Sequence, residues 1–197
     1  MGVPPRDKLL EVGTELFSER GFAAVSIREL AQAAGTNSAM ISYYFGGKEG
    51  LYREVLESQF STLVRTMKES IGDSPDPLKS FRALGEALFM SSQKLPCWLR
   101  LYYGELSCPS PAFDVVEKHI REVADIGAGI VQTGIRQNDF RADVDPRYAS
   151  LALAGTINYF FLVRRLAEKI GTAKPGKDEE FVDQTVRIFL DGLRNRR

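Results

Sequence analysis

Between Ser26 and Gly50 the chain reads SIRELAQAAGTNSAMISYYFGGKEG, and the second half of that stretch collects side chains suited to gripping acceptor oxygens. Ser38, Ala39, Ser42 and Tyr43 fall on one face of a short helical segment, while Ile41 and Phe45, spaced i, i+4, fall on the other. Small residues let a helix approach a surface closely, and hydroxyls donate to acceptor oxygens. That pairing suits entry into a DNA major groove with phosphate contacts at its flanks. The same residues would serve equally as the solvated face of an ordinary helix. Lys48 tips the reading: a cation in a helix's first turn opposes the dipole at a cost of about 0.3–1 kcal/mol, and a phosphate placed there reverses the sign. Gly46 and Gly47 would let the backbone approach a sugar-phosphate strand. The phenols of Tyr43 and Tyr44 can rest their rings on the helix and aim their hydroxyls at a phosphate.

Such a face works only if the elements beneath it are fixed. Ser26 with Glu29 forms a capping box, and Val25 with Leu30 has the spacing of a hydrophobic staple. The second helix therefore starts at a defined place and stops at Ala34-Gly35. Only Gly35-Thr36 separates it from Asn37, the next N-cap, so the two helices must cross steeply as a helix-turn-helix. Before them a first helix carries Leu9, Leu10, Gly13, Leu16 and Phe17 and ends at Gly21. After them a fourth helix carries Leu51, Val55, Phe60 and Val64 towards Ile71.

The segment GDSPDP, residues 72 to 77, holds two prolines and a glycine and no large apolar residue, which marks it as the domain boundary. The expected organisation is a DNA-binding domain over 1–50, a connecting helix over 48–71, and a second domain over 72–197. That second part reads as further amphipathic helices: one with Leu78, Phe81, Leu84 and Leu88, a short one opening at Pro96, and a long one with Phe113, Val116, Ile120, Val123 and Ile130. Asp145 as N-cap and Pro146 at the first helical position open the next helix, which runs to Gly171. The last has Asp178, Glu179 and Glu180 in its first turn and Arg194, Arg196 and Arg197 near its end, matching the helix dipole. Strand-like alternation is absent, so the expected class is all-α.

Lysine plus arginine and aspartate plus glutamate each number 26, giving a formal net charge of +0. Bulk charge therefore attracts no partner, and a polybasic membrane anchor is excluded; nucleic acid is not, because affinity depends on where the cations sit. With fewer full charges to neutralise phosphates, a log–log salt slope shallower than about −10 is expected. Cys97 and Cys108 are too few for a disulfide scaffold and read as buried free thiols. The N-terminus lacks the apolar core of a signal peptide and the longest apolar run is too short to span a bilayer, so no membrane partner and a cytoplasmic location are expected.

The stretch GFAAVSIRELAQAAGTNSAMISYYFGGKEGLYREVL resembles the N-terminal DNA-binding domain of the TetR family of bacterial transcriptional regulators over roughly residues 6 to 56. The resemblance implies an all-helical homodimer that reads a palindromic double-stranded DNA operator and, as a repressor, is released from it by a small effector bound in the C-terminal domain. It implies DNA contacts from Ser26 and Arg28 at the start of the second helix, from Thr36, Asn37, Ser38, Ala39, Met40 and Tyr43 around the recognition helix, and from Tyr44 and Lys48 behind it. Two positions depart from the family pattern: Ser42 stands where a tyrosine is usual, and Gly47 where a serine or threonine cap is frequent.

Aromatic residues gather in the C-terminal part. Trp98, Tyr102, Tyr103, Phe113 and Tyr159, with Glu105, His119 and Asn158, have the composition of a small-molecule site, apolar with sparse polar anchors, and equally that of an ordinary core. The expected effector is small and largely apolar or aromatic. Leu151, Ala154, Ile157, Phe161 and Leu162 form one apolar stripe and Val182, Val186, Phe189, Leu190 and Leu193 another, readable as internal packing or as a four-helix dimer interface. No metal or other cofactor is expected, because His119, Cys97, Cys108 and Glu105 show no ligand spacing. An enzyme is not expected either, since no group orients a Cys/His pair. The alternative outside this frame is a helical small-molecule-binding protein that does not grip DNA.

Overall fold

The computed structural model describes residues 5–195. Among them run α1 (Pro5–Ala24), α2 (Ile27–Ala33), α3 (Ser38–Phe45), α4 (Lys48–Ile71), α5 (Pro77–Lys94), α6 (Trp98–Ser107), α7 (Phe113–Arg136), α8 (Pro146–Lys169) and α9 (Asp178–Leu193). The class is all-α, as expected; the described residues add only one isolated bridge, Phe140 with Arg194. Arg196 and Arg197 lie outside the described residues, and Arg194 stands just past the end of α9. Asp145 caps α8 as expected, its carboxylate accepting from the Arg147 and Tyr148 amides with Pro146 in the first turn.

Two compact units divide the chain, and both draw on α4 and α7. The first comprises residues up to Thr62 together with Leu95–Ile120; the second comprises Leu63–Lys94 and the chain from Arg121 onward. In the first unit Leu9, Phe17, Leu30, Ile41, Leu51, Val55 and Trp98 are buried. They come from every helix of the unit except the start of α7, which is how so short a helix as α3 is held: Ile41 is fully buried. α1 is interrupted at Gly21, whose φ of 75° and ψ of 166° break the helix and turn Phe22 back. Phe17, Phe22 and Tyr52 then form a packed aromatic group, with centroids 4.7 Å apart for Phe17–Tyr52 and 5.1 Å for Phe22–Tyr52. The Tyr52 hydroxyl donates to Glu105 Oε1 at 2.7 Å, and Glu105 Oε2 accepts from the amide and hydroxyl of Ser110.

In the second unit α5 lies against α8 and α9, with Phe81, Leu84, Leu88, Leu153, Val131 and Phe140 inside. Here the expectation for the dimer stripes needs correction. Ile157, Val182, Val186, Leu190 and Leu193 are buried within the protomer; they are the faces that α8 and α9 turn to α5 and to each other. Ala154, Phe161 and Phe189 are half-buried, and only Leu151 and Leu162 of the expected set are exposed. Both cysteines are free thiols, but neither is buried: Cys97 is half-buried and Cys108 exposed. Among the described residues no helix is long and apolar enough to cross a membrane.

Candidate nucleic-acid interface

The expected capping box is present. The Glu29 amide donates to Ser26 Oγ, while Glu29 Oε2 accepts from the Ser26 amide at 2.9 Å and from its hydroxyl at 2.7 Å. Arg20 adds a partner from α1, donating to Glu29 Oε1 at 2.9 Å and to the Ala24 carbonyl. The Ser26 hydroxyl and amide, then Arg20, lower the Glu29 pKa from its usual 4.5 to about 2. One carboxylate thus ties the start of α2 to the end of α1. α2 closes with Thr36 N–H donating to Ala31 O and Gly35 N–H to Gln32 O, around Gly35 at φ 65°; this is a Schellman end. Asn37 Oδ1 then accepts from the Ala39 amide at 2.7 Å and opens α3.

Held at both ends and pinned by Ile41, α3 turns Ser38, Ala39, Ser42 and Tyr43 outward, with Asn37 beside them. Tyr43 is 77% exposed, and its ring meets that of half-buried Tyr44 edge-on at 5.0 Å. Met40 and Thr36 are half-buried at the margin, and Ser26 and Arg28 are exposed at the start of α2. Arg28 makes no hydrogen bond or ion pair among the described residues. The other cations nearby are engaged: Arg6 with Glu54, Lys8 with Glu11, Arg20 with Glu29 and Arg53 with Asp114.

Lys48 departs from expectation. Its ammonium donates to the carbonyls of Phe22 and Val25, each at 3.0 Å, and sits 4.3 Å from the centroid of the Phe22 ring. It is therefore not a free cation awaiting an anion. The carbonyls and the ring face offset the dipole cost of its position, and the side chain ties the start of α4 to the α1–α2 joint. No local pattern could have shown this, because the acceptors lie 26 and 23 residues away. Gly50 shows a similar constraint: a Cβ there would lie 1.7 Å from the Phe45 carbonyl oxygen, so α3 and α4 join more closely than any side chain allows.

This arrangement of capped, short helices has counterparts. The family model described as bacterial regulatory proteins, tetR family, matches residues 9–55. The HTH-type transcriptional repressor KstR2 of Mycolicibacterium smegmatis is 29% identical over 142 residues, which are 71% of this chain and 69% of that one. KstR2 of Rhodococcus jostii is 25% identical over 193 residues, 95% of this chain and 90% of that one. The solved structure of the ketosteroid transcriptional regulator KstR2 of Mycobacterium tuberculosis shares the fold, with a TM-score of 0.78 at 21% identity over 100% of this chain and 98% of that one. Over residues 9–55 the chain carries a TetR-family domain. It is a helix-turn-helix, DNA-binding regulator of transcription.

The expected effector residues of this regulator divide between the two units. In the first, Trp98 packs edge-on against Phe60 at 6.4 Å and beside Tyr102 at 6.2 Å, and Tyr102 touches Tyr103. Trp98 and His119 are both buried, and Trp98 Nε1, His119 Nδ1 and Gln59 Oε1 have no hydrogen-bond partner among the described residues. His119 Nε2 stands 3.0 Å from Glu57 Oε1, off the line of a hydrogen bond. Burial raises the Glu57 pKa, but His119 and Lys118 outweigh it and hold the carboxyl below its usual range. Phe113 is half-buried at the start of α7. Glu105 is corrected from ligand anchor to internal acceptor, its oxygens being taken by Tyr52 and Ser110. In the second unit Asn158 is buried with Oδ1 unpartnered, whereas Tyr159 is 62% exposed and lines no interior. Gln59, an unpaired acceptor, was not expected from sequence; its polar side chain on α4 carries no pattern that marks it.

Proposed function

We propose that this TetR regulator is a homodimeric repressor whose α3 reads a palindromic operator and which a small, largely apolar ring-bearing effector releases. The exposed, doubly capped face of Ser38, Ala39, Ser42 and Tyr43 carries the reading: it is small and hydroxylated, and Arg28, a cation without a partner among the described residues, flanks it. Ser26, Thr36, Asn37, Met40 and Tyr44 border the same face and are proposed to contact phosphates or base edges. Residues 1–50 form the DNA-binding domain in this reading, α4 connects, and residues 72–197 bind effector and dimerise. Tyr148, Leu151, Tyr159, Leu162 and Leu166, exposed along α8 with Ile188 on α9, form the dimer surface. A two-fold dimer places its recognition helices about 34–36 Å apart, one helical turn of DNA.

For the effector, the unpaired donor Trp98 Nε1 beside the rings of Phe60 and Tyr102 favours an apolar ring system carrying a carbonyl or hydroxyl oxygen. A protein of the same fold, KstR2 of Mycobacterium tuberculosis, is a ketosteroid transcriptional regulator. Effector contact with α4 would alter the spacing of the two recognition helices, and a coupling of about 1–3 kcal/mol is enough to release DNA. Selection of bound DNA from a random pool is the test. An enriched palindrome supports the reading, and the double variant Arg28→Ala, Tyr43→Ala should keep its mass and helix content while losing at least tenfold in affinity for it. Failure to enrich any sequence overturns the proposal.

A further inference from the structure

We infer that the first unit holds a second small-molecule site, separate from the Trp98 cluster, which takes an apolar or aromatic body bearing one carboxylate. A cavity of about 450 Å³ lies where the end of α1 faces α6 and the loop after it. That size is within the usual range for small-molecule sites. Phe17, Phe22, Tyr52 and Leu101 supply its apolar wall. On the α6 side stands Gly104, where an added Cβ would meet nothing within 4 Å. The space therefore reaches the helix backbone itself and is not filled by the protein's own side chains.

Charge selects the occupant. Four ionisable side chains that normally carry full charge line the cavity: Glu19, Arg20, Arg100 and Glu105. Two are already satisfied, Glu105 by Tyr52 and Ser110 and Arg20 by Glu29 and the Ala24 carbonyl. Arg100 is exposed and has no hydrogen bond or ion pair among the described residues. A guanidinium is a planar fork matched to a carboxylate, so Arg100 on α6 is the group that would hold the anionic head. Glu19 on α1, likewise without a partner among the described residues, disfavours a second negative charge and restricts the ligand to a monoanion. Phe22 carries the Lys48 ammonium over its ring, so an occupant touching Phe22 bears on the joint that positions α2 and α3.

The test uses the full-length protein and 2-naphthoate, with uncharged 2-naphthamide as control, followed by amide chemical-shift mapping and titration. The expected result is saturable naphthoate binding with shifts at Phe22, Ala23, Gly104 and Ser107. Gly104→Leu, which fills the cavity while favouring helix, should weaken binding at least tenfold without altering helix content. Arg100→Gln should weaken naphthoate several-fold and leave naphthamide unchanged, and Glu19→Gln should bind naphthoate at least as well as the native chain. Absence of saturable binding at millimolar naphthoate overturns the proposal. So does binding that Gly104→Leu leaves intact with shifts confined to Phe60, Trp98 and Tyr102, or binding that Glu19→Gln weakens and Arg100→Gln does not. No step involves DNA, so failure here is distinguishable from failure of the operator reading.

Discussion

Two residues of the DNA-reading head act through others. Glu29 receives the Ser26 amide and hydroxyl and the Arg20 guanidinium, all of which favour its ionised form. A carboxyl whose folded pKa is depressed contributes stability that is complete above its unfolded value and is lost as pH falls through the folded one. The Glu29 contribution is therefore full above about pH 4.5 and fades towards pH 2. Glu29→Gln should lower the melting temperature at pH 7 and flatten its dependence on pH between those limits; an unchanged acid profile would show that the cap is not coupled to folding. Lys48 makes a different point. As a phosphate ligand its loss would reduce the salt slope of operator binding by about one per half-site. As the tie from α4 to the Phe22 and Val25 carbonyls, its loss should leave that slope unchanged while lowering both stability, by about 1–2 kcal/mol, and affinity. Lys48→Ala, compared with the native protein by melting and by binding at several salt concentrations, separates the two roles.

At the scale of elements, the joints matter more than the helices. α4 and α6 meet through Tyr52 and Glu105, both 2% exposed. Burial, then the hydrogen bond to Glu105, pushes the Tyr52 pKa well above its ordinary value, so the phenol stays a donor at any working pH. Tyr52→Phe keeps the ring packed on Phe17 but removes one of the buried carboxylate's three donors. It should cost about 1–3 kcal/mol, read by urea denaturation; a near-zero effect would mean that the Ser110 contacts suffice. Such joints explain what was legible in the sequence. The capping box at Ser26, the turn at Gly35, the Asn37 cap, the inward Ile41 and the Asp145-Pro146 start of α8 are local patterns within four residues, and the structure has each of them. The Lys48 tie, the Arg20–Glu29 link and the Tyr52–Glu105 bond join residues 9 to 53 positions apart. Periodicity does not encode such pairings. Periodicity also misassigned α8 and α9, because a helix with apolar residues on two faces gives one broad stripe, and only packing against α5 shows that Ile157 and Val186 belong to the inner face.

At the scale of the whole molecule, the proposed dimer rests on the surface left over on α8. Tyr148, Leu151, Tyr159, Leu162 and Leu166 are all exposed, and with Gly155 they follow one another at steps of three and four residues. Such a row would suit the proposed dimer, since i, i+3, i+4, i+7 positions share a face and could meet a second helix. Single exposed apolar residues are ordinary, but a row of five large ones along one helix would be costly to leave in water. Gly155 at the middle of the row, with open space around it, would let a second helix come near. Pairing two copies through this row would also double the phosphate contacts while leaving each reading head with Arg28 as its single unpartnered cation among the described residues. Leu162→Glu places a charge in the seam without touching the buried faces. It should leave helix content and melting of the protomer within about 1 kcal/mol of the native protein, convert a dimer into a monomer in sedimentation, and reduce operator affinity by at least a hundredfold through loss of the second half-site. A Leu162→Glu protein that still sediments as a dimer, or a native protein that sediments as a monomer while binding a palindrome tightly, would place the two-fold contact elsewhere.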